Sequence, residues 1–270
     1  MSLNFAPATG ALAALDLLTI ELAGAVAHIR LNRPAKRNAI NDTLIAQLHS
    51  AFISLPAEVK AVVLSGAGEH FCAGLDLSEL TERSVAEGIV HSRSWHACFD
   101  QVQFCGLPVI AVLHGAVVGG GLELAASAHL RVAEDSAFYA LPEGTRGIFV
   151  GGGAAVRVPR LIGAARMTDM MLTGRVFDAD EGQGFGISNY RVADGQGLAK
   201  ALALAEKIAG NAPLSNFAIT QALPRIADMP APQGLFVESL MAAIAESDEA
   251  AKERVRAFLE KRAGKVEKKA

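Results

Sequence analysis

At 270 residues, 51% of them hydrophobic and 26 of them glycine, the chain is long enough for one packed α/β core with a smaller appendage. Its formal charge of -3, from 25 basic and 28 acidic residues, offers no global attraction to a polyanion and argues against nucleic-acid binding. Cys72, Cys98 and Cys105 lack metal-ligand spacing, which sets aside a disulfide scaffold or a structural zinc site and leaves a reducing compartment as the expectation. The first residues lack the basic stretch and clean apolar run of a secretory signal, and charges break the alanine-rich segments before they reach membrane-spanning length. No membrane insertion and a cytoplasmic location are therefore expected.

Segments 17–21 and 25–31 read as two short strands with a tight turn at Ala23-Gly24. A helix follows over 41–55, because Leu44, Ile45, Leu48 and Phe52 fall on one face at steps of three and four. The apolar run 60–64 predicts a buried strand, and this helix-to-strand order suggests a right-handed crossover. Residues 66–79 form a glycine-rich loop that carries Phe71, Cys72, Leu75 and Leu77, so it should fold against the core or a ligand. A helix over 85–104, a strand over 109–113, a short helix over 120–127 and strands over 129–133 and 137–139 come next. From Gly153 onward the pattern is helical, at 154–161, 164–172, 179–184, 198–209, 215–223, 235–245 and 249–261. Phe236, Leu240 and Ile244 form one apolar stripe, and Val255, Phe258 and Leu259 another, each of which must be buried against something.

The glycine run 119–121 lies where a strand hands over to a helix. Backbone without Cβ lets a ligand approach, and the first N–H groups of a helix have no internal partner, so they can donate to an oxygen that becomes negative. A tight packing turn explains the same glycines. No Gly-Lys-Ser/Thr follows them, and dinucleotide spacing is absent, so a phosphate loop is excluded. Glu123 falls in the first turn of the helix, either facing the same small cavity or simply complementing the helix dipole. Glu143 follows Pro142 at the end of an apolar strand. It serves as a second acid, or pairs with Arg146 at the surface. In the loop Phe71-Cys72-Ala73-Gly74-Leu75-Asp76-Leu77, Ala73 could present its N–H as a second donor just beyond a strand end, where α/β folds tend to bind ligands. Asp76 is either a ligand contact or a cap on the loop's own backbone.

Taken together, Arg33-Pro34, Arg37-Asn38-Ala39, Cys72-Ala73-Gly74-Leu75-Asp76, Gly119 to Leu124, Pro142-Glu143, Gly151-Gly152-Gly153, Thr173-Gly174 and Ala257 to Arg262 resemble the enoyl-CoA hydratase/isomerase, or crotonase, superfamily over nearly the whole chain. The resemblance implies an α/β, ClpP/crotonase-like spiral of ββα units over 1–200. It also implies a helical region over 201–270 that serves oligomerisation and completes the coenzyme A site. By motif position, Ala73 and Gly120 would be the oxyanion donors, and Glu123 and Glu143 the acid/base pair of a hydratase adding water to a trans-2-enoyl-CoA. Coenzyme A would enter only as part of the thioester substrate, with no resident cofactor and no metal. Arg33, Lys36, Arg37, Ala73, Asp76, Leu77, Phe258 and Lys261 would contact it, in a homotrimer or a hexamer built from two trimers.

The main alternatives are an enoyl-CoA isomerase or another acyl-CoA lyase or hydrolase of the superfamily. Single-base isomerases usually keep only the acid matching Glu143, and dienoyl isomerases carry an aspartate where this chain has Gly151. Both comparisons favour a hydratase. Arg146 beside Glu143 and Val150 before the glycines depart from the usual pattern. Arg146 could pair with Glu143 and lower its pKa, blunting it as a proton donor, could recognise an acidic acyl group, or could face solvent. The acyl pocket is expected from Leu75, Leu77, the helix over 84–104 and Phe149.

Overall fold

The computed structural model describes residues 3–79, 82–260 and 262. In chain order its first part contains β1 (Ala6–Pro7), β2 (Leu18–Ala23), β3 (Val26–Leu31), α1 (Asp42–Ile53), β4 (Ala61–Gly66), α2 (Val85–Phe104), β5 (Val109–Leu113), β6 (Ala116–Val118) and α3 (Gly120–Ser127). It continues with β7 (Leu130–Glu134), β8 (Phe138–Ala140), α4 (Ala154–Ile162), α5 (Ala164–Thr173), β9 (Val176–Phe177), α6 (Ala179–Phe185), β10 (Tyr190–Val192) and α7 (Gly197–Ala209).

Seven strands form one sheet in the order β1-β2-β3-β4-β5-β7-β10, antiparallel up to β3 and parallel from there. A second sheet, β6-β8-β9, stands apart from it. The repeated strand-strand-helix units are those of the crotonase-like spiral.

The main sheet is apolar on both faces, as parallel strands covered on either side must be. In β4, Val62 and Leu64 join one buried cluster while Ala61 and Val63 join the other. In β5, Val109, Ala111 and Leu113 alternate in the same way with Ile110 and Val112. One face carries α1 and α2 through Leu44, Leu48, Phe52, Cys98 and Phe99. The other is closed by α7, whose buried Ala201 and Ala205 let the helix lie close to the strands.

The site is positioned by the loops that leave β4 and β5. Beyond β4 the chain is stitched twice, by single bridges from Cys72 to Val117 and from Leu75 to Ile40. Asn38, fully buried with φ +54°, donates from its side-chain amide to the carbonyls of Ala67 and His70 and accepts from the Arg33 N–H. This fixes the glycine-rich loop against the segment after β3. Phe71 and Cys72 are accordingly buried in the core, as expected of apolar groups in such a loop.

The second compact unit runs from Gly210 onward and consists of α8 (Pro213–Phe217), α9 (Leu223–Ile226), α10 (Ala231–Ser247) and α11 (Glu249–Leu259). The expected single helix over 215–223 is instead split by a π turn at Ala218–Ala222. The division falls after Ala209, so α7, which a boundary at 200/201 would cut, stays with the α/β core. None of the described helices is long and apolar enough to cross a membrane.

Candidate active site

Helix α3 starts at Gly120, with Gly119 at its N-cap in a backbone conformation (φ +52°, ψ -123°) that only glycine adopts without strain. A side chain at Gly119 would also stand 3.0 Å from Glu143 Oε1. Glu123 lies one turn along and is buried. Its Oε2 accepts the Gly152 N–H at 2.8 Å and its Oε1 the Ala154 N–H at 3.1 Å. Those amides lie at the start of α4, so the carboxylate meets the positive end of a second helix as well as its own. An ionised carboxylate has about four lone-pair sites, and the two that remain can serve a water or a substrate.

Burial is the largest influence on Glu123 and raises its pKa to about 7. The two amides and Arg157 pull it down, and Glu143 pushes it further up. At neutral pH both the acid and the carboxylate are populated. Glu143 is also buried and also raised, mainly by burial, with Arg146 acting in the opposite direction. Its Oε2 has no hydrogen-bond partner among the described residues. Arg146 itself is exposed, and makes its effect on Glu143 through space.

The two acids share one cavity of about 350 Å³. Gly120, Gly151 and Gly152 contribute backbone to its wall, and Leu75, Trp95, Ile148, Phe149 and Val150 make it largely apolar. Ser92, also in the wall, donates its hydroxyl to the Gly151 carbonyl at 2.6 Å. Trp95 is both core and lining: it is buried edge-on against Phe99 and reaches the cavity. Leu77 does not join it, being about half exposed. A larger groove of about 840 Å³ lies between α1 and α2, away from the glutamates.

Of the two N–H groups expected to meet a substrate oxygen, those of Ala73 and Gly120, the fold leaves only that of Gly120 open. The Ala73 N–H already donates to the Arg37 carbonyl at 3.0 Å and is committed to the fold. Leu75, two residues on, lines the cavity, and no acceptor for its N–H is found among the described residues. Its nitrogen lies 3.6 Å from the place a Gly120 Cβ would occupy, so the amides of Leu75 and Gly120 border the same space. The Gly120 N–H, in the first helical turn, has no intrahelical acceptor. The bridge to Ile40 engages the Gly74 carbonyl and the Asp76 N–H and leaves the Leu75 N–H pointing elsewhere.

Arg33 and Asp76 contact each other, Nη2 to Oδ2 at 2.9 Å, with both side chains largely buried. Arg33 also donates to the Ala39 carbonyl, and Asp76 accepts from the Ser78 N–H and hydroxyl at 3.2 and 2.6 Å. The pair therefore ties two loops together, and Asp76 caps its own loop, the second of the two readings given for it. Lys36 and Arg37 remain exposed at the edge of the same loop, Lys36 within 3.2 Å of the Ser78 hydroxyl. In the second unit Phe258 is exposed on α11, and Lys261 lies outside the described residues. Among the described residues no cluster of His, Cys, Asp and Glu could hold a metal ion.

A family model described as enoyl-CoA hydratase/isomerase matches residues 21–269. The chain belongs to that family. The crystal structure of a provisionally named enoyl-CoA hydratase from Rhodopseudomonas palustris is 56% identical, with a TM-score of 0.89 over 96% of this chain and all of that one. Enoyl-CoA hydratase EchA19 of Mycobacterium tuberculosis is 31% identical across 90% of this chain and 94% of its own length. A peroxisomal Δ(3,5)-Δ(2,4)-dienoyl-CoA isomerase of Arabidopsis thaliana is 29% identical across 87% of this chain and 90% of its own. The chain is thus an enzyme of the general hydratase/isomerase type, whose chemistry is carried out on coenzyme A thioesters.

Proposed function

We propose that the protein is an enoyl-CoA hydratase, which adds water across the 2,3-double bond of a trans-2-enoyl-CoA. One observation carries this reading: two buried glutamates with raised pKa values face a single cavity, in two different hydrogen-bonding environments. The thioester oxygen would accept from Leu75 N–H and Gly120 N–H, donors that gain most when the oxygen takes on enolate charge. Glu123, its carboxylate held by two amides, removes a proton from the water that attacks C3. Glu143, whose Oε2 receives no donor, is better stabilised as the neutral acid and delivers its proton to C2. The proton gained by Glu123 then returns to Glu143 directly or through solvent, which restores the starting state.

Gly151 supports the same choice, since a carboxylate there would suit a dienoyl isomerase and this chain offers only backbone in that stretch of wall. The exposed Lys36 and Arg37 are the cations best placed to meet the phosphates of coenzyme A. The exposed apolar residues Phe236, Leu240, Phe258 and Leu259 support burial against further copies, as in a trimer or hexamer.

The test is incubation of purified protein with crotonyl-CoA, following loss of the conjugated enoyl-thioester absorbance. Turnover to 3-hydroxyacyl-CoA that collapses in Glu123→Gln and Glu143→Gln is the expected result. Binding without hydration, together with conversion of a 3-enoyl-CoA to the 2-enoyl isomer, would replace this reading with an isomerase.

A further inference from the structure

Arg157 stands one turn into α4, largely buried, and makes three hydrogen bonds in three directions. Its Nε donates to Gln103 Oε1 at 2.7 Å and its Nη2 to Asp100 Oδ1 at 2.5 Å, both on α2. Its Nη1 donates to the Gly152 carbonyl at 3.2 Å. That last acceptor belongs to the residue whose N–H grips Glu123 Oε2, while Ala154, two residues on, grips Oε1. Between them Gly153 adopts φ +104°, and the guanidinium occupies the space where a side chain at Gly153 would stand. The rigid fork of arginine can hold three acceptors at once, which a lysine ammonium on a flexible stem does less well.

We propose that Arg157 is a positioning residue, which fixes the Gly152-Gly153-Ala154 turn so that its two amides hold Glu123 in one orientation and in its charged form. The proposal rests on the reading of Glu123 as the base. The guanidinium also acts on Glu123 through space, opposing both burial and the charge of Glu143. The other groups around this region are Arg83 and His91 in the cavity wall, His96 against Gly153, Arg146 acting on Glu143, and Asp100 and Arg160 acting on Arg157. Asp100 neutralises part of the arginine's charge but lies on its far side, bonded to a different nitrogen from the one that meets Gly152. A purely structural role, cementing α4 to α2, would leave the protonation of Glu123 untouched.

Two readouts separate these roles in the full-length protein. The first is the carboxyl infrared signal of Glu123 against pH without substrate, isolated by subtracting the Glu123→Gln spectrum. The second is the pH profile of kcat with crotonyl-CoA. In Arg157→Gln the Glu123 midpoint should move up, because a stabiliser of the carboxylate is lost, and the rising limb of kcat should move to higher pH with it. Misplacement of the base should lower kcat by roughly 10²-fold while KM changes little. Arg157→Lys should return the midpoint toward wild type and recover part of kcat, because it keeps the charge but loses the fork.

Where Arg157→Gln does not fold, Gln103→Ala loosens the fork at Nε without changing charge, and should lower kcat and raise the Glu123 midpoint, by less than the loss of the guanidinium would. Folded variants whose melting temperature falls while midpoint, limb and kcat stay at wild-type values would overturn the proposal. A wild type that does not hydrate crotonyl-CoA would instead overturn the hydratase reading. The infrared titration would still decide whether Arg157 governs Glu123.

Discussion

Replacing Glu123 by Gln should raise the stability of the protein relative to the wild type as pH rises through neutrality, although it abolishes the proposed base. The folded chain raises the Glu123 pKa from 4.5 to about 7, chiefly by burial, so the native state holds this proton more tightly than the unfolded chain does. The stability linked to it is fully present below about pH 4.5 and is lost as pH rises through 7. At about 1.36 kcal/mol per pKa unit, the loss amounts to about 3 kcal/mol. Glutamine cannot titrate, and because its NH2 group cannot accept, one of the two amides that hold Glu123 loses its acceptor, a cost that does not depend on pH. Relative to the wild type, the variant should therefore gain about 3 kcal/mol of stability between pH 4.5 and pH 8. Urea denaturation at fixed protein concentration, repeated across pH 4.5–8, measures the difference directly. The same pair of measurements in a Glu143→Gln background should show a smaller rise, because the repulsion from Glu143 is gone. A difference that stays constant with pH to within about 0.5 kcal/mol would refute the argument that Glu123 is strained by burial.

Glu143→Gln keeps the shape of the site and removes the transferable proton, so kcat for crotonyl-CoA hydration should drop by about 10²–10⁴-fold in a spectrophotometric assay. Gly152→Ala places a methyl group against Glu123 Oε2 and 2.8 Å from Phe99 Cε2, which displaces the carboxylate from its amides. Its kcat should fall by roughly 10²-fold in a protein that still melts cooperatively. Asn38→Ala leaves the carbonyls of Ala67 and His70 without their donor and puts a Cβ-bearing residue with no polar group at φ +54°. Denaturation should show a loss of about 2–4 kcal/mol, with the glycine-rich loop the first segment to gain amide exchange.

Much of the site was legible because its residues declare their positions locally. The apolar run into β5, the glycines and the short helix with Glu123 fall in sequence as they fall in space, and the bounds read for the helices over 85–104 and 120–127 match α2 and α3. The helix over 198–209 begins one residue earlier than read, at Gly197. The short strands β6, β9 and β10 were not legible, since segments of two or three residues become strands only through partners distant in sequence. The same limit hid which N–H of the glycine-rich loop the fold leaves open. Whether Ala73 or Leu75 has a free N–H is decided by the carbonyl of Arg37 and the bridge to Ile40, contacts across more than thirty positions that no local pattern records. Asp76 could be read as a cap from its own loop, whereas its pairing with Arg33 could not, because the two stand 43 positions apart until the fold brings them together.

In the proposed mechanism, what divides the labour between the two glutamates is their donors, since burial raises both. Glu123 receives two backbone amides from the start of α4, which favour the charge a base must carry. Glu143 has an oxygen that no described group meets, which favours the neutral form an acid must start from. The two residues are the same chemically, and the difference is made by the turn at Gly152–Ala154 and by what anchors it. The specificity of the site for adding water would then reside less in the pair of carboxylates than in backbone held from behind by α2. Substitutions behind that turn, well outside the cavity, should alter the pH dependence of the reaction before they alter the affinity for substrate.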